Sequence, residues 1–144
     1  MRVEESVEIN RPPEEVFSYV ANPENMPQWS TLVLEIREET EGQPRQGYRF
    51  TAAAKFLGRR FEMPFEVTAH EKSQRYSHRS TGGPFPTEWT LTLEETAGGT
   101  RLTENAQGEP GGFFRLVGPL LERAGRRQMR TDLNTLKDLL EVQG

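Results

Sequence analysis

The chain has 144 residues, of which 33% are hydrophobic and 28% charged, with a formal net charge of −4. This length predicts one domain, spanning residues 1–144. The acidic balance argues against a nucleic-acid partner. With no cysteine in the chain, thiol catalysis, disulfides and thiolate metal sites are excluded. The sequence shows neither an apolar signal segment nor a transmembrane segment, so we expect a cytoplasmic protein.

The N-terminal part predicts one strand followed by two short helices. Apolar residues separated by charged ones predict a strand over residues 3–9. Pro12 and Pro13, followed by two acidic residues, are typical of a helix start, and Asn22-Pro23 stops that helix. A second short helix is predicted from Pro23 to Met26.

From Thr31 onward, apolar and polar residues alternate, which is the period of β-strands. Six strands are predicted, around residues 32–36 (with Leu32, Leu34 and Ile36 inward), 48–56, 61–69, 76–80, 85–93 and 102–106. Pro64 inside the third of these predicts a bulge or an unpaired stretch.

Antiparallel partners share a face, so the predicted turns also predict registers. These registers pair Phe56 with Phe61, Ala69 with Tyr76, Val67 with His78, His78 with Thr87 and Tyr76 with Trp89. The inward face then mixes aromatic and small residues with the polar Tyr48, Tyr76, His78, Ser80 and Glu104. Because buried polar groups need partners, this mixture favours a lined cavity over a solid core.

Residues 111–141 predict a long amphipathic helix with a leucine stripe. Phe113 and Phe114 follow a rotated stripe, and the change of face at Gly118-Pro119 predicts either a kink or two helices. The helix also carries five arginines: Arg115, Arg123, Arg126, Arg127 and Arg130. We interpret them as a solvated face, with a protein-interaction surface as the alternative.

Four segments carry a resemblance to a known family: residues 9–17, Pro27-Gln28-Trp29, Gly99 to Thr103, and Pro119 through Lys137. In order and spacing they resemble the START-like (SRPBCC, Bet v 1-like) superfamily, and most closely its polyketide cyclase/dehydrase and coenzyme Q-binding branch. The resemblance implies an α+β helix-grip fold, in which a curved antiparallel sheet of about seven strands wraps around a long C-terminal helix. Members resembling this chain include lipid carriers, plant hormone binders and aromatase/cyclases, with no universal catalytic signature.

Two ionisable residues on the inward face are candidates for catalysis. His78 could move protons at neutral pH, and Glu104 would be costly in a dry cavity unless paired or protonated. Either residue could instead be structural. The other histidine, His70, is predicted on the outer face, so we expect no histidine pair and no metal site. No nucleophile with an adjacent base is identified.

The leading hypothesis is binding of a hydrophobic or aromatic small molecule, such as a lipid, quinone or polyketide-like compound, between the sheet and the C-terminal helix. The alternatives are a cyclase or dehydratase using the same cavity, and an interaction module using the arginine-rich helix. We expect no cofactor, and a homodimer remains one option. The candidate ligand-binding residues are Trp29, Tyr48, Phe50, Phe61, Met63, Phe65, Tyr76, His78, Phe85, Trp89, Phe113 and Phe114.

Overall fold

The structure, a computed structural model, describes residues 2–56, 58–83, 86–108 and 118–142. It confirms the α+β helix-grip architecture, with a curved antiparallel sheet of seven strands, short helices after the first strand and a long C-terminal helix. In chain order the elements are β1 (Arg2–Ile9), α1 (Pro13–Val20), a one-turn 3₁₀ helix (Pro23–Asn25), α2 (Met26–Trp29), β2 (Val33–Glu38), β3 (Arg49–Phe56), β4 (Arg59–Glu71), β5 (Arg75–Ser80), β6 (Thr87–Thr96), β7 (Gly99–Gly108) and α3 (Gly118–Val142). The strand order is β1-β7-β6-β5-β4-β3-β2, so β1 and β2 form the edges.

Helix α3 is anchored to the sheet by the C-terminal half of its apolar stripe. Leu133 and Leu136 are completely buried, whereas Leu120 in the first turn is 66% exposed. The predicted junction at Gly118-Pro119 lies at the edge of the described residues. The choice between a kink and two helices therefore cannot be made from the described residues. The predicted stripe with Phe113 and Phe114 also lies outside them.

Two hairpin registers differ from the predicted ones by two positions. Phe56 pairs with Arg59 rather than Phe61, and His78 pairs with Trp89 rather than Thr87. In the first hairpin Gly58 has φ 77°, a conformation that glycine adopts without strain, and it immediately precedes the first residue of β4. Because a shift of two residues preserves side-chain alternation, the inward faces stay as predicted.

A β-bulge in β4 reverses the predicted face of the residues that follow it. Val67 pairs with His78 as predicted, but the register then shifts, so that His70 rather than Ala69 pairs with Tyr76. The prediction that His70 lies on the outer face is therefore wrong. Its ring lies 5.0 Å from that of Phe17, on the inner side of the sheet.

A second bulge, in β2, has the same consequence at the sheet edge. The register shifts between Val33 and Glu35, which buries Val33 and leaves Leu34 43% exposed, contrary to the predicted inward face of Leu34. Pro64, where a bulge or an unpaired stretch was predicted, instead pairs regularly with Thr51. Proline is thus accommodated in β4 without a break in the pairing with β3.

Candidate functional site

A small cavity lies between the sheet and the two short N-terminal helices. Its walls are formed by Val20, Met26, Trp29, Tyr76, His78, Trp89 and Leu91. These residues come from α1 and α2 on one side and from β5 and β6 on the other. No described residue of α3 is among them, so the predicted position against the C-terminal helix is wrong for this cavity. The stripe of α3 packs closely instead, with Leu133 and Leu136 at 1% and 0% exposure.

The cavity has a volume of about 10 Å³. This is close to the least space that holds one water molecule. A larger guest therefore requires side chains to move. Met26 and Trp29 both belong to the four-residue helix α2, so a displacement of that helix would enlarge the cavity from one side.

His78 occupies the centre of an aromatic cluster on the inner face of the sheet. Its ring centroid lies 4.7 Å from that of Phe65, 5.3 Å from Phe50, 5.4 Å from Trp89 and 5.5 Å from Tyr76. Each of these four rings contacts the imidazole in an edge-to-face arrangement. This packing fixes the position of the imidazole beside the cavity.

Among the residues that the structure describes, the imidazole of His78 has one polar partner. Its Nδ1 lies 3.1 Å from the Tyr76 hydroxyl, and its Nε2 has no partner among the described residues. Burial lowers the pKa of His78 to about 3, and burial likewise raises the pKa of Tyr76. Both side chains are therefore neutral at physiological pH.

Glu104 on β7 is a second buried ionisable group, with 1% of its surface exposed. Burial, and secondarily the nearby Asp132 on α3, raises the pKa of Glu104 to about 8. Asp132 accepts hydrogen bonds from the Thr31 amide at 3.2 Å and from the Thr31 hydroxyl at 2.9 Å. The Trp89 indole favours the charged form of Glu104 more weakly, and no hydrogen bond of normal geometry joins the two side chains. At neutral pH Glu104 is therefore predominantly the uncharged acid.

The described interior contains several buried polar atoms that lack a hydrogen-bond partner. They are Trp29 Nε1, Ser30 Oγ, Tyr48 Oη, His78 Nε2, Trp89 Nε1 and Glu104 Oε1. Folded proteins bury few such atoms, because each costs the desolvation of a polar group without compensation. Three of these atoms belong to residues that line the cavity.

The predicted ligand-binding residues fall into three groups. Trp29, Tyr76, His78 and Trp89 line the cavity. The core around it includes the buried Tyr48, Phe50, Met63 and Phe65, and Phe61 is half-buried. The predictions for Phe85, Phe113 and Phe114 lie outside the described residues.

Three lining residues were missing from the predicted set: Val20, Met26 and Leu91. The alternation of β6 could have identified Leu91, which shares a face with Trp89. Met26 gave no such signal, because its position depends on how α2 packs.

Within the described ranges, no group of three or more histidine, aspartate or glutamate side chains is placed to hold a metal ion. The described helices include none with the length and apolarity of a membrane span.

The sequence profile of the family described as polyketide cyclase / dehydrase and lipid transport matches residues 1–141. No curated protein matches the chain by sequence.

Several solved structures share the fold. The protein TTHA0849 of Thermus thermophilus is 19% identical, with a TM-score of 0.85 over 100% of this chain and 99% of that one. A START superfamily protein of Mycobacterium smegmatis is 16% identical, with a TM-score of 0.81 over 99% of each chain. DR_A0006 of Deinococcus radiodurans is 17% identical, with a TM-score of 0.76 over 100% and 99%.

Proposed function

Because the chain belongs to the polyketide cyclase/dehydrase and lipid transport family, we propose that it binds a hydrophobic or aromatic small molecule, such as a lipid, quinone or polyketide-like compound. The site is the cavity between strands β5 and β6 and helices α1 and α2. The observation that carries this proposal is that three residues lining that cavity, Trp29, His78 and Trp89, each contain a buried polar atom without a hydrogen-bond partner among the described residues. A guest supplies both the apolar contact and the missing hydrogen-bond partners.

Entry of the guest depends on displacement of α2. The helix has four residues and contributes Met26, whose unbranched side chain adapts its shape readily. When Met26 and Trp29 move outward, the aromatic cluster around His78 becomes the floor of a larger pocket. The ligand therefore stacks on aromatic rings and contacts polar groups at few points, as is usual for small-molecule sites.

The chain offers a direct reporter of occupancy, because its two tryptophans, Trp29 and Trp89, both line the cavity. A panel of quinones, fatty acids and polycyclic aromatics is titrated into the full chain while tryptophan emission is recorded. At least one compound class should change the emission saturably and raise the melting temperature, since a ligand that binds only the folded state stabilises it.

N-acetyltryptophanamide, titrated in parallel, corrects for quenching in free solution. Organic extraction of the denatured protein tests for a ligand that co-purifies. Absence of any saturable change, any thermal shift and any extracted compound would contradict the proposal.

A second candidate function is a cyclase or dehydratase reaction in the same site. It is favoured by the combination of a neutral imidazole with a free Nε2 and a buried carboxylic acid that keeps its proton at neutral pH. In this function His78 accepts a proton, and the walls hold a reactive chain in a folded geometry. Glu104 is not among the seven lining residues, so it donates a proton to the substrate only in the enlarged pocket. The His78→Ala variant should then lose turnover while it keeps ligand affinity, and equal turnover in the variant would remove the role of His78.

A further inference from the structure

A buried acid on α3 holds the segment that follows α2. Asp132 is 4% exposed, and its Oδ1 accepts hydrogen bonds from the Thr31 amide at 3.2 Å and from the Thr31 hydroxyl at 2.9 Å. Thr31 lies two residues after Trp29, which is the last residue of α2 and lines the cavity. The contact between Thr31 and Asp132 therefore attaches the C-terminal end of this cavity wall to the long helix.

The carboxyl group of Asp132 depends on this contact. Among the described residues, no ion pair includes Asp132, and a buried carboxylate without a counter-ion is costly unless hydrogen bonds compensate it. Burial raises the pKa of Asp132, whereas the hydrogen bonds from Thr31, and less strongly Gln128, favour its charged form. If the end of α2 moves away, Asp132 loses two of the donors that stabilise it. Such a movement is therefore opposed by α3.

Two further side-chain hydrogen bonds restrain the region of α2, and both lead to α1. The Asn25 amide donates to the carbonyl oxygen of Tyr19 at 3.0 Å, and the Tyr19 hydroxyl donates to Gln28 Oε1 at 2.6 Å. These bonds join the two short helices to each other. Both survive when α1 and α2 move together, whereas any outward movement of the Trp29 end must break the contact between Thr31 and Asp132.

From this arrangement we infer that Asp132 is a positioning residue of the ligand site: acting through Thr31, it holds the Trp29 end of α2 over the cavity and limits how often the cavity opens. The inference rests on the proposed function, which requires α2 to move, and it names the residue that restrains this movement. Asp132 is not among the residues that line the cavity, so it affects a ligand through the position of α2 rather than by contact.

The backbone amide of Ser30 reports the opening of α2, since it donates to the Met26 carbonyl oxygen at 2.8 Å and exchanges with solvent when that bond breaks. In Asp132→Ala its exchange rate should rise about tenfold, which corresponds to the loss of roughly one net hydrogen bond. Asp132→Asn keeps a side-chain oxygen that can accept from Thr31, so its rate should stay within about twofold of the parent rate. Hydrogen exchange of the full chain, followed by NMR, measures these rates.

Two control variants on the same helix separate this contact from general effects. Leu140→Ala creates a void at a buried position about two turns further along α3, so it lowers overall stability but keeps the acceptor of Thr31. Asp138→Ala removes one negative charge at an exposed position. Neither variant should accelerate the exchange of the Ser30 amide, and urea unfolding records the stability of each.

Binding of the fluorescent dye 8-anilinonaphthalene-1-sulfonate, whose emission rises in apolar pockets, connects the contact with the ligand site. The apparent affinity of a site that is rarely open is reduced by its open fraction. Asp132→Ala should therefore bind the dye about tenfold more tightly than the parent, in proportion to the faster exchange. Asp132→Asn, Asp138→Ala and Leu140→Ala should bind it as the parent does.

The two measurements distinguish failure of the inference from failure of the proposed function. If Ser30 exchange is unchanged in Asp132→Ala, or rises equally in Leu140→Ala or Asp132→Asn, the inference is overturned whether or not the dye binds. If exchange responds to Asp132→Ala alone but the dye binds neither the parent nor any variant, the attachment of α2 is confirmed and the proposed function is overturned.

Discussion

His78 and Glu104 are buried ionisable side chains whose pKa shifts act on stability in opposite directions. The pKa of Glu104 rises from an ordinary value of 4.5 to about 8, so the folded state holds a proton that the unfolded state has lost. Its contribution to the free energy of unfolding therefore decreases as the pH rises from 4.5 to about 8. The pKa of His78 falls from 6.5 to about 3, so its contribution decreases as the pH falls through that range.

Replacement of Glu104 by glutamine should isolate the first effect, because the amide keeps the shape of the acid but cannot ionise. The variant should be more stable than the parent protein by roughly 1–3 kcal/mol near pH 8, with a smaller difference near pH 5. Urea unfolding across this pH range measures the difference. Glu88→Gln, at an exposed position on β6, is the matched control. The difference in unfolding free energy between this variant and the parent should not depend on pH. Parallel stability profiles for parent and E104Q would contradict the assigned ionisation of Glu104.

At the residue scale, side-chain alternation was sufficient to place Tyr76, His78 and Glu104 on the inward face. It failed for His70, because one extra residue near Thr68 reverses every later position in β4. The sequence also could not predict which buried polar atoms lack a hydrogen-bond partner. Whether His78 Nε2 finds a partner depends on contacts between elements that are distant in sequence, and on distances that no local pattern contains.

At the scale of elements, α3 is attached to the edge strand β1 by charges as well as by leucines. Glu5 on β1 lies 2.9 Å from the Arg130 guanidinium and 4.0 Å from Arg126, and its side chain is only 19% exposed. Glu5 also pairs directly with Glu104 across β1 and β7. The two arginines therefore balance negative charge next to a buried carboxyl group. The sequence-based interpretation of the arginines as a merely solvated face does not include this contact.

Two double variants of α3 with the same change in net charge distinguish arginines that attach the helix to β1 from arginines that are only solvent-exposed. Arg126→Glu with Arg130→Glu removes both partners of Glu5 and adds repulsion, so it should cost about 1 kcal/mol of unfolding free energy. Arg123→Glu with Arg127→Glu alters two exposed positions for which the described residues include no ion pair, so its cost should be close to zero. Thermal unfolding at low and high salt measures both variants. Equal effects in the two pairs would show that overall charge, rather than the contact with Glu5, decides the outcome.

The same two variants test the alternative of a protein-interaction surface on α3. A partner that recognises the exposed arginines would be lost in the Arg123 and Arg127 variant, whose fold is expected to be intact. Pull-down from cell extract with the parent chain and this variant checks the point. Retention of all captured partners by the variant would leave α3 with an anchoring role only.

For the molecule as a whole, the order of the elements was predictable from the sequence because period, turn residues and helix signals agreed along the chain. The location of the cavity was not. Its position under α1 and α2 follows from how closely the leucine stripe of α3 packs on the sheet, and that closeness is a property of the assembled core. The small volume is equally a global property, since it results from side chains of four separate elements.

A cavity of about 10 Å³ makes binding depend on a rearrangement of the protein. If the open form is rare and forms before the ligand enters, the observed binding rate should approach a ceiling as the probe concentration rises, and the ceiling should be the same for different probes. Stopped-flow recording of tryptophan emission with two aromatic compounds of different size measures this ceiling. A ceiling that differs between the two probes would place the rearrangement after binding instead, and a rate that keeps rising linearly would show that no slow rearrangement limits entry.

Two buried methionines allow the site of that rearrangement to be identified. Met26, which is 3% exposed, lines the cavity. Met63 on β4 is 7% exposed and does not line it. Replacement of either by alanine should cost about 2–5 kcal/mol, because both leave a void in the core. Only Met26→Ala should raise the ceiling of the binding rate, since it removes the side chain through which α2 closes the cavity. If Met63→Ala raises the ceiling equally, general loosening of the core rather than movement of α2 admits the ligand.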